Sequence, residues 1–298
     1  MDKTKIIIDT DIGDDIDDAL AIAFALESPE LEIIGITTVF KNVVARAKIA
    51  SRMLKLAGRE DIPVFTGIGS PIINKVNEAE IPCQYSEEED GSEDGFSEGA
   101  IDFIIDTVMS SDSDITLVPI GPLTNIAIAI LKEPKLKSKV KEIVMMGGCY
   151  YNHCNEWNII CDPEAARVVF ESGIPIKAVG LDVTFKCTLT DKEVERIKNQ
   201  PKQSAIYLPE LIKRWRGGTD KCPMLHDPLA ICAIFDDKIL EMQQEDIVVE
   251  TNGHFMRGAT YNKSGLWRGN ADQSVIKVAK NVNSEEFIKM FMNRICLP

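Results

Sequence analysis

Residues 6–26 read IIIDTDIGDDIDDALAIAFAL and carry the clearest structural signal in the chain. A β-branched apolar run ends at Asp9, and an apolar helix-forming run begins near Asp18. Short apolar runs without alternation are typical of strands that are covered on both faces, as in a parallel sheet. The stretch therefore predicts a strand followed at once by a helix, which is the repeating unit of α/β folds.

The same alternation continues along the chain. It predicts a single α/β domain over residues 1–298, with a mostly parallel central sheet flanked by helices. The predicted strands span residues 5–9, 32–38, 115–120, 142–146 and 174–183. The predicted helices span residues 18–27, 42–57, 98–110, 123–132, 163–172 and 203–215. In such a fold the active site is expected at the carboxyl ends of the strands.

The composition indicates which kinds of molecule the protein can bind. The chain has 298 residues, 45% of them hydrophobic, and a formal net charge of −14 at pH 7. This charge disfavours binding to a phosphate backbone, so we expect a small neutral substrate or a cation and no nucleic acid. No run approaches the ~18 apolar residues of a membrane span, and the opening residues lack the layout of a signal peptide. We therefore expect a cytoplasmic protein with no membrane partner.

Residues 77–97 read NEAEIPCQYSEEEDGSEDGFS and are acidic and glycine-containing. This composition predicts a mobile surface loop whose charges are solvated rather than bound to a metal. A loop of this length could also act as a lid over a site.

The eight cysteines contain no CxxC pair, which predicts a reduced set in a cytosolic protein. Four potential zinc ligands lie close together in sequence. Their spacing matches no standard zinc site, so zinc remains the weaker alternative. These residues are Cys149, His153, Cys154 and Cys161.

Six aspartates fall within ten residues after the first predicted strand: Asp9, Asp11, Asp14, Asp15, Asp17 and Asp18. One or two would favour the positive end of the following helix, but six repel one another. A hard divalent cation with oxygen ligands would remove that repulsion. An EF-hand starting at Asp9 would need glycine and glutamate where Asp14 and Leu20 stand. A dehalogenase-type phosphatase would need Thr or Val in place of Gly13.

The segments DTDIG (9–13) and DDALA (17–21) together resemble the signature of the calcium-dependent, inosine/uridine-preferring nucleoside hydrolases. The family spacing puts the aspartate pair two residues earlier, so Asp14-Asp15 compete with Asp17-Asp18, although the helix-starting DDALA matches only the second pair. Further segments resemble the family in the same order. They are VFKN (39–42), with Lys41 in place of the usual glycine, PIGPLTN (119–125), MMGG (145–148), NEWNI (155–159), DPEAA (162–166) and HDPLA (226–230).

This resemblance implies a Rossmann-like nucleoside hydrolase fold and hydrolysis of the N-glycosidic bond of a ribonucleoside to free base and ribose. It implies one Ca²⁺ bound by Asp11, Asp18, the Thr124 carbonyl and Asp227, with Asp11 also the base that activates water. His226 is then the acid for the leaving base. The residues expected to bind the ribose are Asp17, Asn42, Asn152, Glu156 and Asn158.

The resemblance leaves the base of the nucleoside open: purine, pyrimidine, or a modified base such as the 7-deazapurine of queuosine. Four side chains are candidates to stack on the base, although each is at least as well suited to packing: Tyr207, Trp215, Met224 and Tyr261. The resemblance also favours a role in nucleoside salvage and a homodimer or homotetramer. The alternatives are a hydrolase of another riboside on the same fold, and a non-catalytic nucleoside- or sugar-binding module.

Overall fold

The computed structural model describes residues 3–152, 154–264 and 274–297. In chain order its strands are β1 (Thr4–Thr10), β2 (Leu31–Thr38), β3 (Val64–Thr66), β4 (Ser97–Glu98), β5 (Ile115–Pro119), β6 (Glu142–Met146), β7 (Ile176–Val179), β8 (Leu240–Gln244), β9 (Ile247–Val249), β10 (Thr260–Asn262) and β11 (Ile276–Val282).

The α-helices are α1 (Asp17–Leu26), α2 (Val43–Leu56), α3 (Glu87–Asp90), α4 (Ala100–Ser110), α5 (Thr124–Lys132), α6 (Trp157–Cys161), α7 (Pro163–Phe170), α8 (Leu181–Thr184), α9 (Asp191–Lys198), α10 (Leu208–Arg216), α11 (His226–Cys232) and α12 (Ser284–Cys296). Two short 3₁₀ helices lie at Pro134–Ser138 and Gln203–Ala205.

Nine strands form the central sheet, in the order β4-β3-β2-β1-β5-β6-β7-β11-β8. Its pairs are parallel except β11 with β8, and the antiparallel pair β9–β10 forms a separate small sheet. The chain builds outward from β1 through β2, β3 and β4, then returns to the other side of β1 with β5. This reversal creates a crevice at the carboxyl ends of β1 and β5, which is where doubly wound sheets bind ligands.

Apolar packing on both sheet faces explains why β1 is apolar on successive residues. Ile6 and Ile8 join the core cluster that contains α1, whereas Ile7 joins the cluster on the opposite face. Phe24 of α1 lies at the centre of an aromatic group, with ring centroids 5.4 Å from Phe291 and 6.2 Å from Phe287. The single-domain α/β fold with a mostly parallel sheet is therefore confirmed.

Each predicted strand and helix overlaps an observed one, and the bounds differ most in the two predicted segments nearest the C-terminus. The predicted strand 174–183 is too long, because β7 ends at Val179 and the chain turns into α8. The predicted helix 203–215 begins as a 3₁₀ turn, and α10 starts at Leu208 with proline in its first turn. Strands β3 and β4 were missed, since two or three residues carry no readable period. No helix among the described residues is both long and apolar enough to cross a membrane.

The acidic segment 77–97 is attached to the body of the protein at several points. It contains α3 and β4, and its Asp90 is fully buried. Tyr207 Oη donates to Asp90 at 2.6 Å and Arg214 Nη1 donates to it at 3.1 Å. The main-chain nitrogen of Gln84 donates to the Gly13 carbonyl at 2.9 Å, and its side-chain amide donates to the Asp15 carbonyl. The segment thus contacts both α10 and the aspartate-rich loop; its mobility stays a prediction.

Candidate active site

A cavity of about 320 Å³ opens at the carboxyl ends of the central strands. This volume falls at the lower end of the range for small-molecule sites, ~300–1,000 Å³. Most of its polar lining consists of carboxylates. The lining residues are Asp11, Asp14, Asp15, Asp17, Asp18, Ile120, Met146, Asn155, Glu156, Trp157, Asn158, Ile160, Leu181, Phe185, His226 and Asp227.

Three buried carboxylates in this cavity meet at the starts of two helices. Asp17 and Asp18 begin α1, Asp227 lies in the first turn of α11, and one oxygen from each lies within 4.8 Å of the others. Burial, and then repulsion from neighbouring aspartates that include Asp11, raise the pKa of all three well above the ordinary range of aspartate. Among the described residues, no Lys or Arg forms an ion pair with any of them. A divalent cation with oxygen ligands fits this donor set.

Asp11 lies on the loop that follows β1, only 7% exposed, and lines the same cavity. Burial is the main cause that raises its pKa to about 6. The neighbouring turn after β5 approaches it closely: a β-carbon at Gly121 would lie 2.8 Å from both the nitrogen and Oδ1 of Asp11. Glycine at position 121 is therefore required for Asp11 to keep this position.

The two aspartate pairs that could match the family signature, Asp14-Asp15 and Asp17-Asp18, have different surroundings. Asp17 and Asp18 belong to the buried cluster with Asp227. Asp14 also lines the cavity, but its Oδ2 forms a 2.8 Å ion pair with Arg46. Asp15 Oδ1 accepts a 2.7 Å hydrogen bond from the main-chain nitrogen of Ile16. The cation-binding geometry therefore favours the second pair.

Asp9, the first of the six aspartates, faces the protein interior. Its Oδ1 accepts hydrogen bonds from Thr37 at 2.6 Å and Asn125 at 2.7 Å, and burial raises its pKa to about 7. It does not line the cavity.

Glu156 and Asn158 form another part of the cavity wall. Glu156 caps α6, and its carboxylate accepts from the main-chain nitrogens of Asn158 at 2.8 Å, Gly148 at 3.0 Å and Ile159 at 3.1 Å. Burial raises its pKa to about 7 in spite of these three donors. Asn158 Nδ2 donates to the Ile120 carbonyl at 2.8 Å, which links this wall to the turn after β5.

His226 is the first residue of α11 and lines the cavity beside Asp227. Its Nδ1 lies 2.7 Å from Thr184 Oγ1, and its ring meets Phe185 edge to face at 5.6 Å. Burial lowers the pKa of the imidazole below its ordinary value. The hydroxyl and the aromatic edge together fix the orientation of the ring.

Thr124, Asn42 and Asn152 do not line the cavity. Thr124 Oγ1 donates to Asp162 at 2.7 Å, whereas Ile120 from the same turn does line the cavity. Asn42 caps α2 by accepting from Ala45 N at 3.0 Å, and Asn152 donates to Asp182 at 2.7 Å. The structure therefore does not support the ribose contacts that the sequence predicted for Asn42 and Asn152, because neither side chain lines the cavity.

Two aromatic side chains in the cavity were not singled out in the sequence as stacking partners. Trp157 and Phe185 are each 54% exposed, although large apolar side chains are usually buried. None of the four predicted stacking candidates, Tyr207, Trp215, Met224 and Tyr261, lines the cavity. Tyr207 and Trp215 are buried elsewhere in the protein. The sequence motif could have indicated Trp157, because this residue stands between Glu156 and Asn158 in NEWNI.

The cysteines near the cavity correct the expected reduced set. Cys149 and Cys154 are joined by a disulfide, their α-carbons 6.0 Å apart, which is ordinary spacing for a bridge. Cys161 is free and buried. A zinc site that uses both Cys149 and Cys154 is therefore wrong, and His153 lies outside the described residues. The bridge closes the loop that leads to Asn155 and Glu156.

Comparison with known proteins agrees with this geometry. Residues 6–289 match the family of inosine-uridine preferring nucleoside hydrolases. The chain is 32% identical to the probable uridine nucleosidase 2 of Arabidopsis thaliana over an alignment of 318 positions, which covers 99% of this chain and 98% of the relative.

Solved structures of the same family superpose on nearly the whole chain. A plant nucleoside hydrolase does so with a TM-score of 0.84 and 30% identity, covering 99% of each chain. A purine-preferring ribonucleoside hydrolase from Gardnerella vaginalis gives a TM-score of 0.80 and 33% identity, covering 98% of each chain. With its acidic cavity at the expected edge of the sheet, this chain belongs to the inosine-uridine preferring nucleoside hydrolase family and is a ribonucleoside hydrolase that acts on N-glycosyl bonds.

Proposed function

We propose that this ribonucleoside hydrolase uses a Ca²⁺ ion and an aspartate-activated water to release free base and ribose, in nucleoside salvage. The observation that carries the proposal is the buried cluster of Asp17, Asp18 and Asp227, with Asp11 on the same cavity. Three uncompensated buried carboxylates are unfavourable unless a cation joins them. Their oxygen-only chemistry favours Ca²⁺ over softer metals.

We assign the calcium ligands to Asp11, Asp18 and Asp227, with a main-chain carbonyl from the turn after β5. Ile120 lines the cavity and Thr124 does not, so Ile120 replaces Thr124 in this assignment. Bound there, the ion supplies positive charge that favours deprotonation of water and coordination of vicinal hydroxyls. Asp17 is left beside the ligands to accept a hydrogen bond from the 2′-hydroxyl or from water.

Asp11 accepts the proton of the attacking water in this proposal. Burial raises its pKa to about 6 in the metal-free protein and a bound cation would lower it, so the carboxylate is ionised at neutral pH and can accept a proton. The nearby Gly121 turn leaves it little freedom to move, which favours one orientation of the carboxylate.

The ribosyl group acquires positive charge as the glycosidic bond breaks, because the transition state resembles an oxocarbenium ion. Glu156 and Asn158 line the same cavity and bind the ribose hydroxyls in this proposal. Their own hydrogen bonds to the main chain hold them in place before substrate arrives. Such fixed groups lower the barrier by restricting the ribose to a reactive conformation.

His226 protonates the leaving base in this proposal. Its lowered pKa means that the protonated ring gives up its proton readily, while the protonated fraction at pH 7 is small. Trp157 and Phe185 offer apolar faces on which the base can stack. Because relatives include a uridine nucleosidase and a purine-preferring enzyme, we leave the base class to experiment.

The test is ribose release from a panel of purine, pyrimidine and 7-deazapurine ribonucleosides, with and without a calcium chelator. We expect release from at least one nucleoside, its loss with chelator, and its return with Ca²⁺ but not with Zn²⁺. Asp106→Asn, an exposed carboxylate on α4, is the control for substitutions of the cluster. Release that is unaffected by chelator would remove calcium from the proposal. Release from no nucleoside would favour another riboside or a binding role.

A further inference from the structure

Arg46 is a buried arginine that contacts the active-site loop without lining the cavity. It lies in the first turns of α2 and is 1% exposed. A buried guanidinium is unfavourable unless its donors are satisfied, so the acceptors it has found are informative.

Those acceptors come from two loops. Arg46 Nη1 donates to the carbonyls of Asp11 and Ile12, the latter at 2.9 Å. Its Nε donates to the Phe40 carbonyl at 2.8 Å, in the loop that follows β2. Its Nη2 donates to Asp14 Oδ2 at 2.8 Å. One planar side chain therefore ties the loop after β1 to the loop after β2.

The second loop is strained where Arg46 binds it. Phe40 and Lys41 have φ angles of 69° and 54°, a left-handed conformation that side chains other than glycine adopt rarely. The Phe40 ring also meets Trp157 edge to face at 6.4 Å. Arg46 thus holds a strained turn that in turn supports one wall of the cavity.

We propose that Arg46 is a positioning residue for Asp11, and that Asp14 is the counter-ion of Arg46 rather than a ligand of the metal or the ribose. This inference rests on the proposed role of Asp11 in the hydrolase reaction. The bond to the Asp11 carbonyl fixes the main chain from which the carboxylate projects, and the four acceptors need the fork of a guanidinium. A lysine in the same place carries the charge but cannot reach all of them.

The experiment compares Arg46→Lys, Arg46→Met and Asp14→Asn with the wild type. Arg167→Met, which removes an exposed arginine paired with Glu171, is the matched control. For each protein we would measure kcat and KM for ribose release, the calcium dissociation constant by calorimetry, and hydrogen exchange of peptides that cover residues 6–20. The melting temperature shows which variants are folded at the assay temperature.

We expect both Arg46 variants to lower kcat by about 10² and to weaken calcium binding by about tenfold, because a displacement near 1 Å has effects of this order. Exchange in residues 6–20 should rise in both, while KM changes less than kcat. Full activity in Arg46→Lys would show that charge alone suffices and would overturn the positioning role. So would a lower melting temperature with unchanged kcat and calcium affinity.

Asp14→Asn keeps the test decisive if the Arg46 variants do not fold. We expect its calcium dissociation constant to stay within about threefold of the wild type, since asparagine still accepts a bond from Arg46. A loss of tenfold or more would identify Asp14 as a metal ligand and overturn the inference. If the wild type hydrolyses no nucleoside, the proposed function fails, and hydrogen exchange in residues 6–20 still tests the Arg46 anchor.

Discussion

Thr10 Oγ1 donates a 2.5 Å hydrogen bond to Oδ1 of Asp18, and this bond joins the end of β1 to the start of α1. The same hydroxyl accepts from the main-chain nitrogen of Ile12 at 3.1 Å. One small side chain therefore sets both the path of the aspartate-rich loop and the direction of a proposed calcium ligand. Groups that orient metal ligands in this way commonly contribute 10–100-fold to metal affinity.

Replacing Thr10 with valine should weaken calcium binding by about tenfold or more, because Asp18 loses its donor at nearly unchanged side-chain volume. Thr10→Ser keeps the hydroxyl and is the matched control. Calorimetric titration with Ca²⁺ measures both. Equal affinities for the valine and serine variants would mean that Thr10 does not orient Asp18.

Asp11→Asn should lower kcat by about 10² or more, since an amide cannot accept the proton of the attacking water. KM should change less, because Glu156 and Asn158, the proposed ribose-binding residues, are unchanged. Steady-state ribose release measures this split, with Asp106→Asn as control. Near-normal turnover would assign the base to another carboxylate of the cavity.

His226→Ala should lower turnover while calcium affinity stays close to that of the wild type, because the imidazole lies beside the cluster without being one of its carboxylates. Activity that depends on the protonated ring should fall as pH rises through the lowered pKa of His226. The alanine variant should lose that dependence. A parallel loss of calcium binding would instead make His226 part of the metal site.

Phe185→Ala should raise KM by about tenfold with a smaller change in kcat, if the base stacks on this exposed ring. Phe255→Ala is the control, since Phe255 is 87% exposed and does not line the cavity. Initial rates over a range of nucleoside concentrations separate the two constants. An unchanged KM would move the base away from Phe185.

Calcium-free protein should become more stable as pH falls from 8 to 5. The carboxyl groups of Asp11 and Glu156 have folded-state pKa values of about 6 and 7, and those of the buried cluster are raised further. Raised carboxyl pKa values favour folding where the groups are protonated, and this contribution is lost as pH rises through them. His226, with its lowered pKa, opposes the trend but is a single group.

Melting temperatures with chelator and with excess Ca²⁺ measure this effect across the same pH range. The increase in melting temperature on addition of calcium should be larger at pH 8 than at pH 5. At pH 8 the carboxylates are ionised and bind the cation without first losing protons. A calcium-free melting temperature that rises with pH would contradict the repulsion described for the cluster.

The sequence predicted the parts of the fold that have a clear period or a fixed local signal. The apolar run of β1 and the helix-starting DDALA predicted the βα unit, and the aspartates between them indicated the edge of the sheet at which the cavity lies. The short strands β3 and β4 at the sheet edge could not be found, because pairing with neighbours and not their own residues makes them strands. The strand predicted at 174–183 failed where Gly180 starts a turn into α8.

Among the site residues too, the sequence predicted those with a local signal better than those whose position depends on tertiary contacts. Asp227 lies 209 positions after Asp18, yet both stand at recognisable helix starts, and the structure brings them together with Asp17. Asn42 and Asn152 lie on loops whose course depends on tertiary contacts, such as the left-handed turn at Phe40 and the bond to Asp182. Motif alignment alone could not give their direction.

The loop of residues 11–16 joins β1 to α1 and carries three of the carboxylates that line the cavity, Asp11, Asp14 and Asp15. The structure restrains this loop from outside: Gln84 binds the carbonyls of Gly13 and Asp15, and Asp90 anchors the same segment to Tyr207 and Arg214. Arg46 restrains it from inside. A longer loop is less ordered unless contacts of this kind compensate. The conformation of residues 11–16 therefore depends on the rest of the protein, and transplanting these residues into another nucleoside hydrolase would require Arg46 and residues 82–90 as well.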